Sequence, residues 1–202
     1  WIDNFQETGG EPLCMPYEYT IEMFCDFLGA GRAYGGKNFS LAQEYEWWKK
    51  NSPTMILHPV VRKTLDLLFF HCLHHNEVPN KYYCKVTYEK AAQEESIRLN
   101  NALNTCYYVI GSKNELKEHK IIESGFLRKT KVMESDYELS YFTRADKRTL
   151  NEIPLHSKKA KVLSKHPADS YQIVTDGDSK TLVINNKTKF WELSNYLIIQ
   201  IN

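Results

Sequence analysis

The segment 67–77, LLFFHCLHHNE, gathers His71, Cys72, His74, His75 and Glu77 within seven positions. His71 and His75 stand four apart, so an unbroken helix puts them on one face, and Glu77 can approach the same ion. Two imidazoles and a carboxylate suit zinc. The run reads equally as the end of a helix. Pro79 follows it, histidines in a last turn are favoured by the helix dipole, and Cys72 falls on an apolar stripe with Leu65 and Leu68. The zinc motifs that place a glutamate between paired histidines are not present.

Other constellations are similarly two-sided. Asp176-Gly177-Asp178 resembles the start of a calcium loop, but the spacing for further ligands is missing and a hairpin turn is the better account. Gly29, Gly31, Gly35 and Gly36 follow no strand and precede no Gly-Lys-Ser/Thr, so they read as helix termination and turn, not a phosphate cradle. Cys25 beside Asp26 has no histidine near it in sequence, and its helical spacing places it in a core. Arg144, Arg148, Lys158, Lys159, Lys161 and Lys165 suggest a basic face; on exposed strands such residues also guard edges against aggregation. Trp47, Trp48 and Trp191 read as packing anchors, and an exposed Trp48 would mark a partner surface.

These residues need elements to hold them. Tyr17, Ile21, Phe24, Cys25 and Leu28 predict a helix opening near Pro16, Ser40 caps a second through Trp48, and Pro59 starts a third with Val60, Val61, Leu65, Leu68, Phe69 and Cys72 inward. Ala92, Ser96, Leu99, Leu103 and Cys106 alternate at four and three, a coiled-coil stub of about two heptads. Strand periods follow: CYYVIGS, TRADKRTLNEIPL, KKAKVLS, SYQIVT, KTLVIN and NYLIIQI. Ser112 with Glu115 forms a capping box opening the short helix KNELKEH, and Asp176-Gly177 marks a hairpin. The expected class is α+β: a helical segment over 1–80, a helical linker over 81–105, and a mainly antiparallel β module over 106–202.

Composition bounds the function. A chain of 202 residues, 42% hydrophobic and 13% aromatic, can bury a core. Its formal net charge of +1 supplies no field for nucleic acid. Five cysteines with no CxxC pair read as reduced thiols, which favours the cytoplasm. No apolar run reaches the roughly 18 residues of a membrane span. Trp1, not Met, opens the chain, so an upstream segment is expected, and a lipid anchor is possible only there.

Two stretches carry resemblances. PYEYTIEMFCDFLGAGRAYGGKNFSLAQEYEWWKKNSPTMILHPVVRKTLDLL, within 1–75, resembles the C-terminal half of a helical family of unknown function from phages and gut bacteria. Its other half carries a His-Asp dyad and paired histidines like the metal site of HD-type phosphohydrolases. Here the dyad and the paired histidines are absent; Asp26, in EMFCD, matches a position for the last carboxylate of such a site, and one carboxylate cannot hold a divalent cation. LNNALNTCYYVIGSKNELKEHKII, SYFTRADKRTLNEIPLHSKKAKVLSKHPADSY and KFWELSNYLIIQI, within 91–202, resemble the β-rich C-terminal module of Bacteroidetes coiled-coil proteins, often lipoproteins. That resemblance implies an envelope location, no known activity, and a chain of composite origin.

The reading that asks for no missing residue is a non-catalytic binding or scaffolding protein, acting through a protein partner or self-association and needing no cofactor. The alternative is an incomplete HD-like phosphohydrolase whose metal, a divalent ion or zinc, would need a half not present here. A helical segment that lacks a preceding half is expected to leave Phe24, Leu28, Leu65, Leu68 and Phe69 uncovered.

Overall fold

The computed structural model describes residues 12–123, 131–132 and 138–202. The chain is α+β and forms two compact units, residues 1–99 and 100–202. Among the described residues no helix is long and apolar enough to cross a membrane.

The first unit is helical: α1 (Tyr17–Gly35), α2 (Leu41–Asn51), α3 (Pro59–His75) and most of α4 (Lys81–Leu103). Local chemistry sets the ends. Ser40 Oγ accepts the Gln43 N–H at 3.2 Å, His58 Nδ1 accepts the Val60 N–H ahead of Pro59, and Asn80 Oδ1 accepts the Tyr83 N–H at 2.9 Å. Asn76 ends α3 in the left-handed region, φ 51°. Gly29 and Gly31 do not terminate α1, as the sequence suggested; the helix runs on to Gly35.

The core of this unit is an aromatic stack. Trp48 of α2 lies parallel to Phe69 of α3 at 4.9 Å, and Phe24 of α1 meets Phe69 edge-on at 5.0 Å. Phe24, Leu28, Leu65, Leu68 and Phe69 are all buried, with Cys84 of α4 completing their cluster. In the full chain these five side chains are covered, and α4, which lies outside the three helices of 1–80 expected to leave them uncovered, packs its Cys84, Thr87 and Ala91 inward. Cys25, expected in the core, is exposed, because the inward stripe of α1 is Thr20, Phe24 and Leu28 at steps of four, and Cys25 lies a further 100° round the helix. Leu99 and Leu103 of the heptad pattern are exposed, and Cys106 belongs to a strand.

In the second unit, β1 (Thr105–Ser112), β4 (Thr143–Asp146), β6 (Ala160–Val162) and β9 (Tyr196–Ile201) form a sheet of order β4-β1-β9-β6. β5 (Glu152–Pro154), β7 (Tyr171–Asp176) and β8 (Ser179–Ile184) form a second, and β2 (Ile122–Glu123) pairs with β3 (Lys131–Val132). All pairings are antiparallel except β1 with β9. TRADKRTLNEIPL is two strands in different sheets, β4 and β5, parted by a turn over residues 147–149. β9 is covered on both faces: Leu197 and Ile199 pack with Phe190 and Leu182, while Ile198 packs with Val109 and Leu116. That is why Leu197, Ile198 and Ile199 are apolar in succession instead of alternating with polar residues. The capping box forms as the sequence predicts, with the Ser112 N–H on Glu115 Oε2 at 2.7 Å and the Glu115 N–H on Ser112 Oγ. α5 (Lys113–Glu118) follows it. The hairpin also forms, with Asp176 opposite Ser179, so the loop is Gly177-Asp178, and Gly177 takes φ 59°.

His166 stacks on Phe190 at 4.1 Å and lies edge-on to Trp191, with Nδ1 2.6 Å from the Phe190 carbonyl and Nε2 3.2 Å from that of Tyr196. A neutral imidazole has one N–H, so one carbonyl faces a bare nitrogen. Burial pushes the imidazole below its ordinary 6.5, while the two carbonyls pull it back. Because the folded state disfavours the proton, the unfolded chain binds more of it in this range; stability is full above 6.5 and is lost as pH falls below it. Carboxylates held low by a partner, such as Asp146 beside Arg148, add their own loss only at more acid pH. Between about pH 6.5 and 5, the protection factors of the β9 amides, corrected for the intrinsic pH dependence of exchange, should fall, and more steeply than in His166→Gln; equal slopes in the two proteins would contradict this reading.

Candidate functional site

α1 and α2 enclose a cavity of about 590 Å³ lined by Phe27, Ala30, Gly31, Tyr34, Gly35, Gln43, Glu44 and Trp47. Its position follows from the rotation of α2. Trp48 is buried in the aromatic stack, and its Nε1 donates to Asp66 Oδ1 at 2.7 Å. Glu44, four residues earlier, shares Trp48's face and is carried inward; Trp47, about 100° away, turns to the side, where it meets Phe27 at 5.3 Å.

Glu44 can enter because α1 presents no side chain there. A Cβ on Gly31 would stand 2.0 Å from both Cδ and Oε1 of Glu44, well inside van der Waals contact. Glu44 is only 8% exposed, and its carboxyl meets no hydrogen-bond donor and no cation among the described residues. Its cover is local: the walls close around it, but it sits near the surface of the unit. Burial raises its pKa above the ordinary 4.5. Its place in the first turn of α2 lets the helix dipole offset part of the cost, without supplying a donor to its oxygens. Phe27 is half-buried, Trp47 is 41% exposed and Tyr34 is 92% exposed at the mouth.

The residues singled out in the sequence fall elsewhere. His71 and His75 do share a face of α3, with ring centroids 4.4 Å apart, and His71 also packs on Tyr83. His71 Nε2 lies 3.5 Å from Glu77 Oε1, an electrostatic contact too long for a good hydrogen bond, and both ring nitrogens are buried without a partner. Among the described residues no three His, Cys, Asp or Glu side chains converge as a metal site requires. Asp26 is exposed on α1. Trp48 is a core anchor, so the solvent-facing indole is Trp47.

Arg148 is occupied within the fold. It forks onto Asp146, with Nη2 to Oδ2 at 2.6 Å, and reaches Asn100 and Asn101 at 2.8 Å each, tying the β4 turn to the last turn of α4. Arg144 reaches Thr105 Oγ1 at 3.4 Å. Lys161 is exposed on β6, an edge strand, where a lysine blunts further pairing. Arg148 is thus engaged within the fold, while Arg144 and Lys161 remain exposed.

Glu44 was not singled out in the sequence. An acidic residue after a Ser cap reads as an ordinary helix start, and the signal that could have exposed it is the Gly31/Gly35 pair, four apart on α1, which permits a close approach by another element. No protein-family model, no curated protein and no solved structure matches this chain.

A buried carboxyl with a raised pKa is a stability liability with a definite sign. The folded state favours the protonated form, so stability is full below 4.5 and is lost as pH rises through the raised value. Glu44→Leu should therefore stabilise the protein at pH 7, by on the order of 1 kcal/mol, and much less at pH 4. Chemical denaturation at the two pH values checks this; destabilisation at pH 7 would show that Glu44 has a partner in the fold.

Proposed function

We propose that this chain is a non-catalytic binding protein that takes its ligand in the α1–α2 cavity. The observation that carries this reading is the composition of the walls: an aromatic surface around one carboxyl, with no imidazole, thiol or second carboxylate among the described residues that line the space. A nucleophilic mechanism sets a nucleophile beside a base that activates it, and among the described residues the lining offers a carboxyl with no such neighbour. A mainly apolar concavity with a single charged group and few other polar ones in its lining is the pattern of a site that orients and retains a ligand. The likeness of residues 91–202 to the end module of Bacteroidetes coiled-coil proteins agrees with a binding or scaffolding role, in which the β unit serves as a docking module.

Thermal unfolding of the full chain against a panel of small cationic, neutral and anionic aromatic-compatible compounds tests the reading. At least one class should raise Tm with concentration, as ligand at a hundredfold over Kd adds about 2.7 kcal/mol to stability. Trp47→Ala, which removes a half-exposed wall without entering the core, should abolish the shift. A panel in which no class changes Tm would refute a ligand-binding cavity.

A further inference from the structure

We infer that the α1–α2 cavity is a receptor for an organic ammonium ion, with Glu44 as the counter-charge and Phe27 and Trp47 as the walls that face the cation. The inference rests on the binding reading above and names the ligand class.

Three observations converge on it. The first is the unanswered charge: Glu44 is 8% exposed and meets no donor or cation among the described residues. Burial has taken part of its water from this carboxylate and raised its pKa, and a ligand bringing a positive charge to its remaining open side is attracted to it. The second is the wall. Phe27 and Trp47, packed against each other at 47° with centroids 5.3 Å apart, line the same cavity as the carboxylate. Aromatic faces attract cations, tryptophan most strongly, and quaternary or alkylated ammonium groups suit an aromatic lining because their methyl groups also bury apolar surface. The third is Gly31, which leaves the carboxyl room against the α1 backbone, where a Cβ would displace it.

Competing ligands fit less well. A calcium ion asks for six or more oxygens, and the lining offers one carboxylate, one glutamine amide and a tyrosine hydroxyl. An anion would meet Glu44 with the same sign. A neutral apolar molecule would contact the aromatic lining but leave the carboxylate unanswered. The cavity, at about 590 Å³, accepts an ammonium head together with the chain behind it, and the mouth beside Tyr34 gives that chain an exit.

Calorimetry on the full chain provides the test. Choline is compared with 3,3-dimethylbutanol, which has the same shape with carbon in place of the charged nitrogen. Choline should bind at least tenfold more tightly. Glu44→Gln should erase that ratio by weakening choline alone, and Gly31→Ala, a substitution helix propensity favours, should weaken choline by displacing the carboxylate. Trp47→Ala should weaken both compounds. Equal affinity for the two compounds in the native protein would overturn the ammonium assignment while leaving the cavity a binding site. Failure of both compounds and of every other class to bind would overturn the binding reading as well. A third ligand, the amide of N-acetyl-trimethyllysine, separates sources of the same chemistry: tighter binding than choline supports a cation carried on a protein side chain, and weaker binding supports a free small amine.

Discussion

The helical unit is organised by the burial of one indole. Trp48 stacks on Phe69, and its ring N–H is satisfied by Asp66, so α2 has a single rotational setting in which both the apolar and the polar needs of that side chain are met. Everything near the cavity follows. Glu44 is drawn to the inner face by its four-residue offset, Trp47 is turned toward Phe27, and α1 must carry glycine where the carboxyl arrives. A hydrophobic decision thus places an ionisable group where its own chemistry would not have put it.

The β unit solves a different problem, that of holding short strands together. β9 runs through the middle of its sheet with side chains buried on both faces, and β1, β6 and the helices α5 and α6 (Lys187–Phe190) are arranged around it. Polar side chains close the seams that apolar packing leaves. Arg148 joins the β4 turn to two asparagines, Ser157 Oγ donates to the Asn202 carbonyl at 2.7 Å, and Lys147 caps the Leu103 carbonyl. Arg148, a positive charge that looks like part of a docking face in the sequence, is in this way consumed as mortar.

Features set by neighbours in sequence were legible before the structure. Ser112 and Glu115 name their capping box because both partners lie within one turn, and NYLIIQI announces a strand by its period. The α+β class follows from the change of period alone. Features set across the chain were not legible. The parallel pairing of β1 with β9 depends on residues at opposite ends of the unit, and no local pattern encodes it. Cys25 was misplaced because Phe24 and Cys25 fit neighbouring stripes of one helix, and only the position of α3 decides between them. Glu44 stayed hidden for a related reason: its type and position are those of any solvent-facing helix start, and the burial comes from Trp48 and Gly31.

The parallel pairing of β1 with β9, which sets Tyr107 beside Tyr196, has a consequence in time. During synthesis at about 5–20 residues per second, β1 leaves the ribosome on the order of 10 s before the strand that completes its sheet. The helical unit, whose contacts are nearer in sequence, can close during that interval, while CYYVIGS waits with one edge unpaired. The nascent β unit is then an obligate late folder, and the period of greatest risk for aggregation, and of greatest use for a chaperone, falls between the emergence of β1 and that of β9.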